Sequence, residues 1–95
     1  MLDQAKMVMQ LKKAQKELSK EIVEVEAGDG AVIVQVTGEL KLKKVSINPE
    51  MVDLDDIAEL ESWIKVAVQD GMTAAQELAA EKMKPLMGGL GDLGL

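Results

Sequence analysis

The chain has 95 residues, no cysteine, no histidine and a formal net charge of −6 at pH 7. This composition excludes disulfides and thiolate chemistry, and it lacks both the commonest metal ligand and the usual proton shuttle at neutral pH, so enzymatic and metal-binding functions are disfavoured. No stretch approaches the roughly 18 apolar residues of a membrane span, and we expect one cytoplasmic domain over residues 1–87.

The charges are segregated along the chain. Residues 1–20 carry five lysines against two acids, a balance of +3, whereas residues 48–84 carry nine acids against three lysines, a balance of −6. Charges are screened over about 8 Å at physiological ionic strength, so a basic face acts locally when the acidic segment points elsewhere. The acidic total therefore weakens a polyanion-binding function without excluding it.

Helical spacing predicts a first helix over residues 2–21. At about 100° per residue, its apolar side chains share one side and its lysines occupy an arc of about 120° on the other. The apolar side consists of Met7, Leu11, Ala14, Leu18 and Ile22. The lysines, called the basic face below, are Lys6, Lys12, Lys13, Lys16 and Lys20. Such a face is either an ordinary solvated surface or a surface for phosphates.

Three strands are predicted between residues 22 and 47, because apolar and polar residues begin to alternate there. Gly28-Asp29-Gly30 supplies a turn able to adopt positive φ, which makes the first two strands a hairpin. Gly38-Glu39 marks a second tight turn.

The third predicted strand changes phase at Lys44. Either a β-bulge near Lys43–Lys44 explains the change, or Val45 and Ile47 cover the other face of the sheet beside Ile33. The lysines of this strand are second-rank candidates for contact with phosphates, and they equally suit the protection of an edge strand from aggregation. They are Lys41, Lys43 and Lys44.

A second helix is predicted over residues 54–84, with Asp53 as its N-cap. At roughly 46 Å it is longer than the roughly 30 Å width of such a domain, so it must project. We assign its apolar stripe to a dimer interface: Ile57, Leu60, Trp63, Ile64, Ala67, Val68, Ala75 and Leu78. Gly71 marks either a kink or a close helix crossing. Residues 88–95 are rich in glycine and predict a flexible tail.

Several motifs together resemble a known family. They are Glu24-Val25-Glu26-Ala27-Gly28-Asp29-Gly30, Val34-Gln35-Val36-Thr37-Gly38, Leu42-Lys43-Lys44-Val45-Ser46-Ile47-Asn48-Pro49 and Val52-Asp53. With the lysine-rich first helix and the Gly88-Gly89 tail, they make essentially the whole chain similar to the YbaB/EbfC family of bacterial nucleoid-associated proteins. The resemblance implies an α+β, α-β-β-β-α protomer with a three-stranded antiparallel sheet, and a tweezer-like homodimer with projecting helices. It also implies binding that bends or compacts DNA in the nucleoid, without catalysis or a cofactor.

All eleven basic residues are lysines, so the chain has no arginine. Guanine is most often read by arginine, whereas lysine makes point contacts with phosphate. We therefore expect a homodimer that binds double-stranded DNA through its backbone with little sequence preference, without a membrane or a small-molecule substrate. The alternative is a coiled-coil protein-interaction scaffold or chaperone-like adaptor that does not bind DNA. A third possibility is an acidic surface over residues 50–81 that mimics DNA.

Overall fold

Two helices and one three-stranded sheet make up the protomer. The computed structural model describes residues 2–91, and it describes side chains for residues 4–84. The elements are α1 (Leu2–Lys20), β1 (Ile22–Ala27), β2 (Val32–Thr37), β3 (Leu42–Ile47), a 3₁₀ turn (Pro49–Met51) and α2 (Ile57–Gly91). The strands form an antiparallel sheet in the order β1-β2-β3. This arrangement confirms the predicted α+β protomer.

Left-handed backbone at three consecutive residues forms the β1–β2 turn. Gly28, Asp29 and Gly30 have φ angles of 64°, 57° and 94°. Glycine adopts such angles without steric cost, and aspartate tolerates them. A Cβ atom on Gly28 would lie 2.5 Å from the ring of Trp63. The glycine therefore closes the turn and also leaves room for the indole of α2.

The β-bulge, one of the two alternatives for the change of phase in the third strand, is present. Gln35 is opposite Lys44, but the next residue, Val36, is opposite Leu42. Lys43 is therefore an extra residue in β3 with no partner in β2, which is the defining feature of a bulge.

The bulge decides which face of the sheet the last part of β3 covers. Val45 is opposite Val34, and Ile47 is opposite Val32. Residues directly opposite each other project to the same face. Val45 and Ile47 therefore lie on the core face, and the alternative that placed them beside Ile33 is wrong.

The core lies where α2 crosses β1 and β2. Its fully buried side chains are the valines of β2 and two alanines of α2, namely Val32, Val34, Val36, Ala67 and Ala75. Gly71 lies between the alanines, and a Cβ atom there would be 2.8 Å from Cγ2 of Val36 and 3.2 Å from Cγ2 of Val34. Gly71 thus marks close contact between a helix and a strand, and not the predicted helix crossing.

The start of α2 differs from the prediction. The helix begins at Ile57, because Asp56 is the N-cap and its Oδ1 accepts a hydrogen bond of 3.2 Å from the backbone N–H of Glu59. Asp53, the predicted cap, stabilises the preceding turn, where its Oδ1 accepts a hydrogen bond of 2.9 Å from the backbone N–H of Asp55.

The end of α2 also differs from the predicted limit at residue 84. The helix continues through Pro85 to Gly91. A proline inside a helix removes one backbone hydrogen bond and its ring crowds the carbonyl four residues earlier, which costs about 3 kcal/mol, yet the helix is not ended here. The predicted domain limit at residue 87 therefore falls inside α2, and the predicted tail is helical up to Gly91. Residues 92–95 of that tail lie outside the described part of the chain. At 35 residues, α2 is about 52 Å long and projects beyond the sheet, as predicted.

We expect Gly71→Ala to lower the free energy of unfolding by about 1–2 kcal/mol. Alanine favours a helix by about 1 kcal/mol over glycine. At 2.8 Å from a stiff valine side chain, however, overpacking should cost about 2–3 kcal/mol, the upper part of its usual range. Urea unfolding followed by the fluorescence of Trp63, the only tryptophan, measures the change. The control is Thr73→Ala on the exposed side of α2, which should leave stability equal or slightly higher. A Gly71→Ala variant as stable as the wild type would contradict the close contact.

Candidate nucleic-acid interface

The C-terminal end of α1 is docked onto the β2–β3 turn. Leu18 is 5% exposed, and its carbonyl oxygen accepts a hydrogen bond of 3.0 Å from the backbone N–H of Gly38. A Cβ atom at position 38 would lie 2.6 Å from that same oxygen. The absence of a side chain at Gly38 therefore permits the backbone contact that fixes this end of the helix.

The same end of α1 also faces α2. A groove of about 380 Å³ separates α1, the β2–β3 turn and α2, and it is lined by Gln15, Leu18, Gly38, Glu39, Leu40, Ala79 and Met83. Beside it, Nζ of Lys82 lies 3.4 Å from Oε1 of Glu21. Both side chains of this pair are nearly half exposed, and such pairs contribute at most about 1 kcal/mol. Burial of Leu18 is therefore the main anchor.

Exposure increases along α1 with distance from this anchor. Leu11 and Ala14 are half-buried, whereas every residue from 4 to 10 is exposed. The predicted apolar side is thus covered from Leu11 to Leu18, and Met7 remains exposed. Ile22, predicted to share this side, is instead the first residue of β1 and is also exposed. The N-terminal half of α1 is free to meet another molecule.

The basic face is accessible along its full length. All five of its lysines are exposed. The ion pair found among the described side chains joins Lys82 to Glu21, so no lysine of the basic face is paired with an acid in that part of the chain. The face therefore presents five exposed lysines on one side of a helix that projects from its anchor, and with the two acids of residues 1–20 the local charge balance is +3.

The lysines of the third strand belong to a separate surface. Lys41, Lys43 and Lys44 are exposed on β3, an edge strand, whereas α1 packs mainly against α2 and β2. The backbone N–H of Lys41 donates to Oγ1 of Thr37 at 3.3 Å, which holds the turn before the strand. These exposed positions suit both functions considered for the lysines of β3, protection of the edge strand and contact with DNA.

The apolar stripe of α2 mostly packs within the protomer. Ala67 and Ala75 have no accessible surface, which corrects their assignment to a dimer interface, because the valines of β2 already cover them. Four further residues of the stripe pack partly against the core: Leu60, Trp63, Ile64 and Val68. Ile57 is 44% exposed and Leu78 is half-buried, so the side chains of these two residues retain accessible surface that a partner could contact.

An exposed apolar surface on β3 was missed by sequence reasoning. Leu42, Val45 and Ile47 are 39–44% exposed although they share the face that β2 buries. A helix is about 10–12 Å wide and strands are about 4.8 Å apart, so a single helix covers about two strands. The sequence predicted one long helix to cover a sheet of three strands, and this mismatch could have indicated that one strand would remain uncovered.

Metal binding and membrane crossing find no support among the described residues. No group of three or more acidic, cysteine or histidine side chains among them could hold a metal ion. Within the same range, neither helix combines the length and apolarity needed to cross a bilayer.

Comparison with known proteins decides the family. Residues 1–90 match the YbaB/EbfC DNA-binding family. The chain belongs to this family. The resemblance of its motifs is thereby confirmed, and the family is a DNA-binding family and not a family of enzymes.

Relatives and a solved structure agree with this assignment. A nucleoid-associated protein of Chloroflexus aurantiacus is 44% identical over 84 residues, covering 88% of this chain and 84% of the relative. One from Saccharopolyspora erythraea is 46% identical over an alignment of 96 residues, covering 95% of this chain and 83% of the relative. The crystal structure of the uncharacterized protein HP0035 from Helicobacter pylori superposes with a TM-score of 0.78 and covers 87% of both chains. Its sequence identity is 19%, so it supports the fold of this YbaB/EbfC protein alone.

We expect Leu18→Ala to detach α1 while the sheet stays folded. Truncation of a buried leucine costs about 2–5 kcal/mol, and the open groove beside Leu18 favours the lower value. Hydrogen exchange should show lost protection in the last turns of α1, with β2 unchanged. Leu11→Ala, at a half-buried position of the same helix, is the control with a smaller expected effect. Equal loss of protection in α1 and β2 would mean that the helix and the sheet unfold together.

Proposed function

We propose that this YbaB/EbfC protein is a nucleoid-associated protein that binds double-stranded DNA as a homodimer and changes its conformation or compaction. The observation that carries the proposal is the basic face, an exposed arc of lysines on a helix anchored at one end. The names of its relatives support action at the nucleoid, and we propose that location for this chain.

Phosphates are the proposed targets of the basic face. Lysine is a compact charge that suits point contacts, and the chain has no arginine for bidentate contacts with guanine. Contacts of this kind release counterions and carry no sequence information. Binding should therefore be strongly dependent on salt and only weakly dependent on sequence.

A second copy of the chain is the proposed partner of the exposed apolar surface on β3. That surface is continuous with the core and lies on an edge strand, and a two-fold axis would set two identical apolar surfaces against each other. A domain of this size buries only roughly 60–68% of the surface that its unfolded chain exposes, so dimerisation would increase the buried apolar surface. The dimer would also carry two basic faces, doubling the number of phosphates within reach.

We expect Val45→Glu to shift the protein from dimer to monomer. A charge at the centre of an apolar interface is left unpaired and desolvated, which strongly opposes association. Sedimentation equilibrium measures the shift, and circular dichroism checks that the sheet is retained, as the partial exposure of Val45 allows. Ser46→Glu is the matched control, because it introduces the same charge one residue further on, on the opposite face. A Val45→Glu variant that stays dimeric would place the interface elsewhere.

The basic face is tested by fluorescence anisotropy with unrelated 40-base-pair duplexes across a salt series. The slope of log affinity against log salt is about −0.9 for each neutralised phosphate. Lys12→Gln with Lys16→Gln removes four contacts from a dimer and should reduce the slope by about 3.6. The matched double variant, Lys65→Gln with Lys84→Gln, removes the same charge from α2 and should bind as the wild type does.

The outcomes separate the candidate functions. A steep slope on every duplex that becomes shallower by about 3.6 in the basic-face variant supports backbone binding through α1. An unchanged slope in that variant would remove α1 from the mechanism. If the wild type does not bind DNA even at low salt, the protein-interaction scaffold replaces the DNA-binding proposal.

A further inference from the structure

Met9 is a large apolar residue within the basic face, where the other described apolar side chain, Ala5, is small. At about 100° per residue, Met9 falls near the midline of the lysine arc, about 60° from both Lys6 and Lys12. Its side chain is 70% exposed, compared with 50% for Val8 and 38% for Met7. Met9 and its neighbours Lys6, Gln10 and Lys13 line an open depression on the surface of α1. Met9 is therefore a large apolar group held outward, with positive charge on both sides.

The dimensions of this surface match the DNA major groove. A helix with its side chains is about 10–12 Å wide, and the major groove is about 12 Å wide. If α1 lies in the groove, Lys6 and Lys12 on opposite flanks point towards the phosphates of the two strands. The midline between them, where Met9 lies, then faces the base edges at the floor of the groove.

Thymine is the base that places an apolar group at the floor of the major groove. Its C5-methyl group projects into the major groove, where apolar side chains contact it. We propose that Met9 contacts thymine C5-methyl groups and gives this protein a modest preference for thymine-containing duplexes. The inference rests on the proposed DNA binding through the basic face. It adds an apolar contact with bases to a surface whose other proposed contacts are with phosphates.

Chemical replacement of thymine by uracil tests the contact directly. Uracil pairs as thymine does and lacks only the methyl group. The probe is therefore a pair of duplexes with the same sequence, one containing thymine and the other containing uracil in its place. Burying a methyl group gives about a threefold to fourfold difference in affinity. The wild type should prefer the thymine duplex by about this factor for each methyl group contacted, and Met9→Gln should bind both duplexes equally.

Two further variants are controls for the apolar contact. Met9→Leu keeps an apolar side chain and should retain the preference. Val8→Gln introduces the same polar group at an exposed apolar position about 100° from the midline, and it should also retain the preference. None of these changes removes a lysine, so the salt slope should be the same in all of them.

The salt series separates failure of this inference from failure of the proposed function. A wild type with a steep salt slope but equal affinity for both duplexes would overturn the role of Met9 and leave backbone binding intact. A preference that persists in Met9→Gln would assign it to the shape of the duplex and also overturn the role of Met9. Absence of binding to either duplex at low salt would overturn both proposals.

Discussion

The contact between α2 and β2 is the constraint on which the other surfaces of the protomer depend. Small residues at positions 67, 71 and 75 bring the backbone of α2 close to the valines of β2. This places the helix over β1 and β2, and its width leaves the core face of β3 exposed. The length of α2 then carries it beyond the sheet, where Ala79 and Met83 line the groove beside α1. The exposed strand surface and the position of the basic face both follow from this one contact.

Features set by local pattern could be predicted from the sequence. The two helices, the three strands and the bulge at Lys43 all leave a periodicity or a change of phase that neighbouring residues define. The first residue of α2 could not be predicted, because Asp53, Asp55 and Asp56 are all suitable caps and only the backbone geometry selects one. The core position of Ala67 was missed for a different reason. An apolar stripe has the same spacing whether it covers its own sheet or a partner.

The same limit applies to the candidate interface. Helical spacing was sufficient to group the five lysines, and their exposure agrees with the prediction. Helical spacing also places Met9 between these lysines. A methionine on a helix most often fills a gap in a core, so spacing alone does not predict that Met9 is exposed. Only the tertiary structure shows which side chains remain uncovered. Exposure at Met9 arises because α1 is anchored at Leu18, and residues 4–10, all of them exposed, extend away from this anchor.

This separation also explains how an acidic protein can present a surface to DNA. The lysines from Lys6 to Lys20 span about 21 Å along the helix, more than twice the screening length of about 8 Å. Each lysine therefore acts on the phosphates nearest to it, and an acid weakens that attraction little when it lies farther from the lysine than the screening length. The same acids repel a duplex that approaches α2 itself. The net charge of −6 is then compatible with the proposed binding, because it disfavours contact with the acidic surfaces and leaves the lysine-bearing surfaces of α1 and β3 for an approach of DNA.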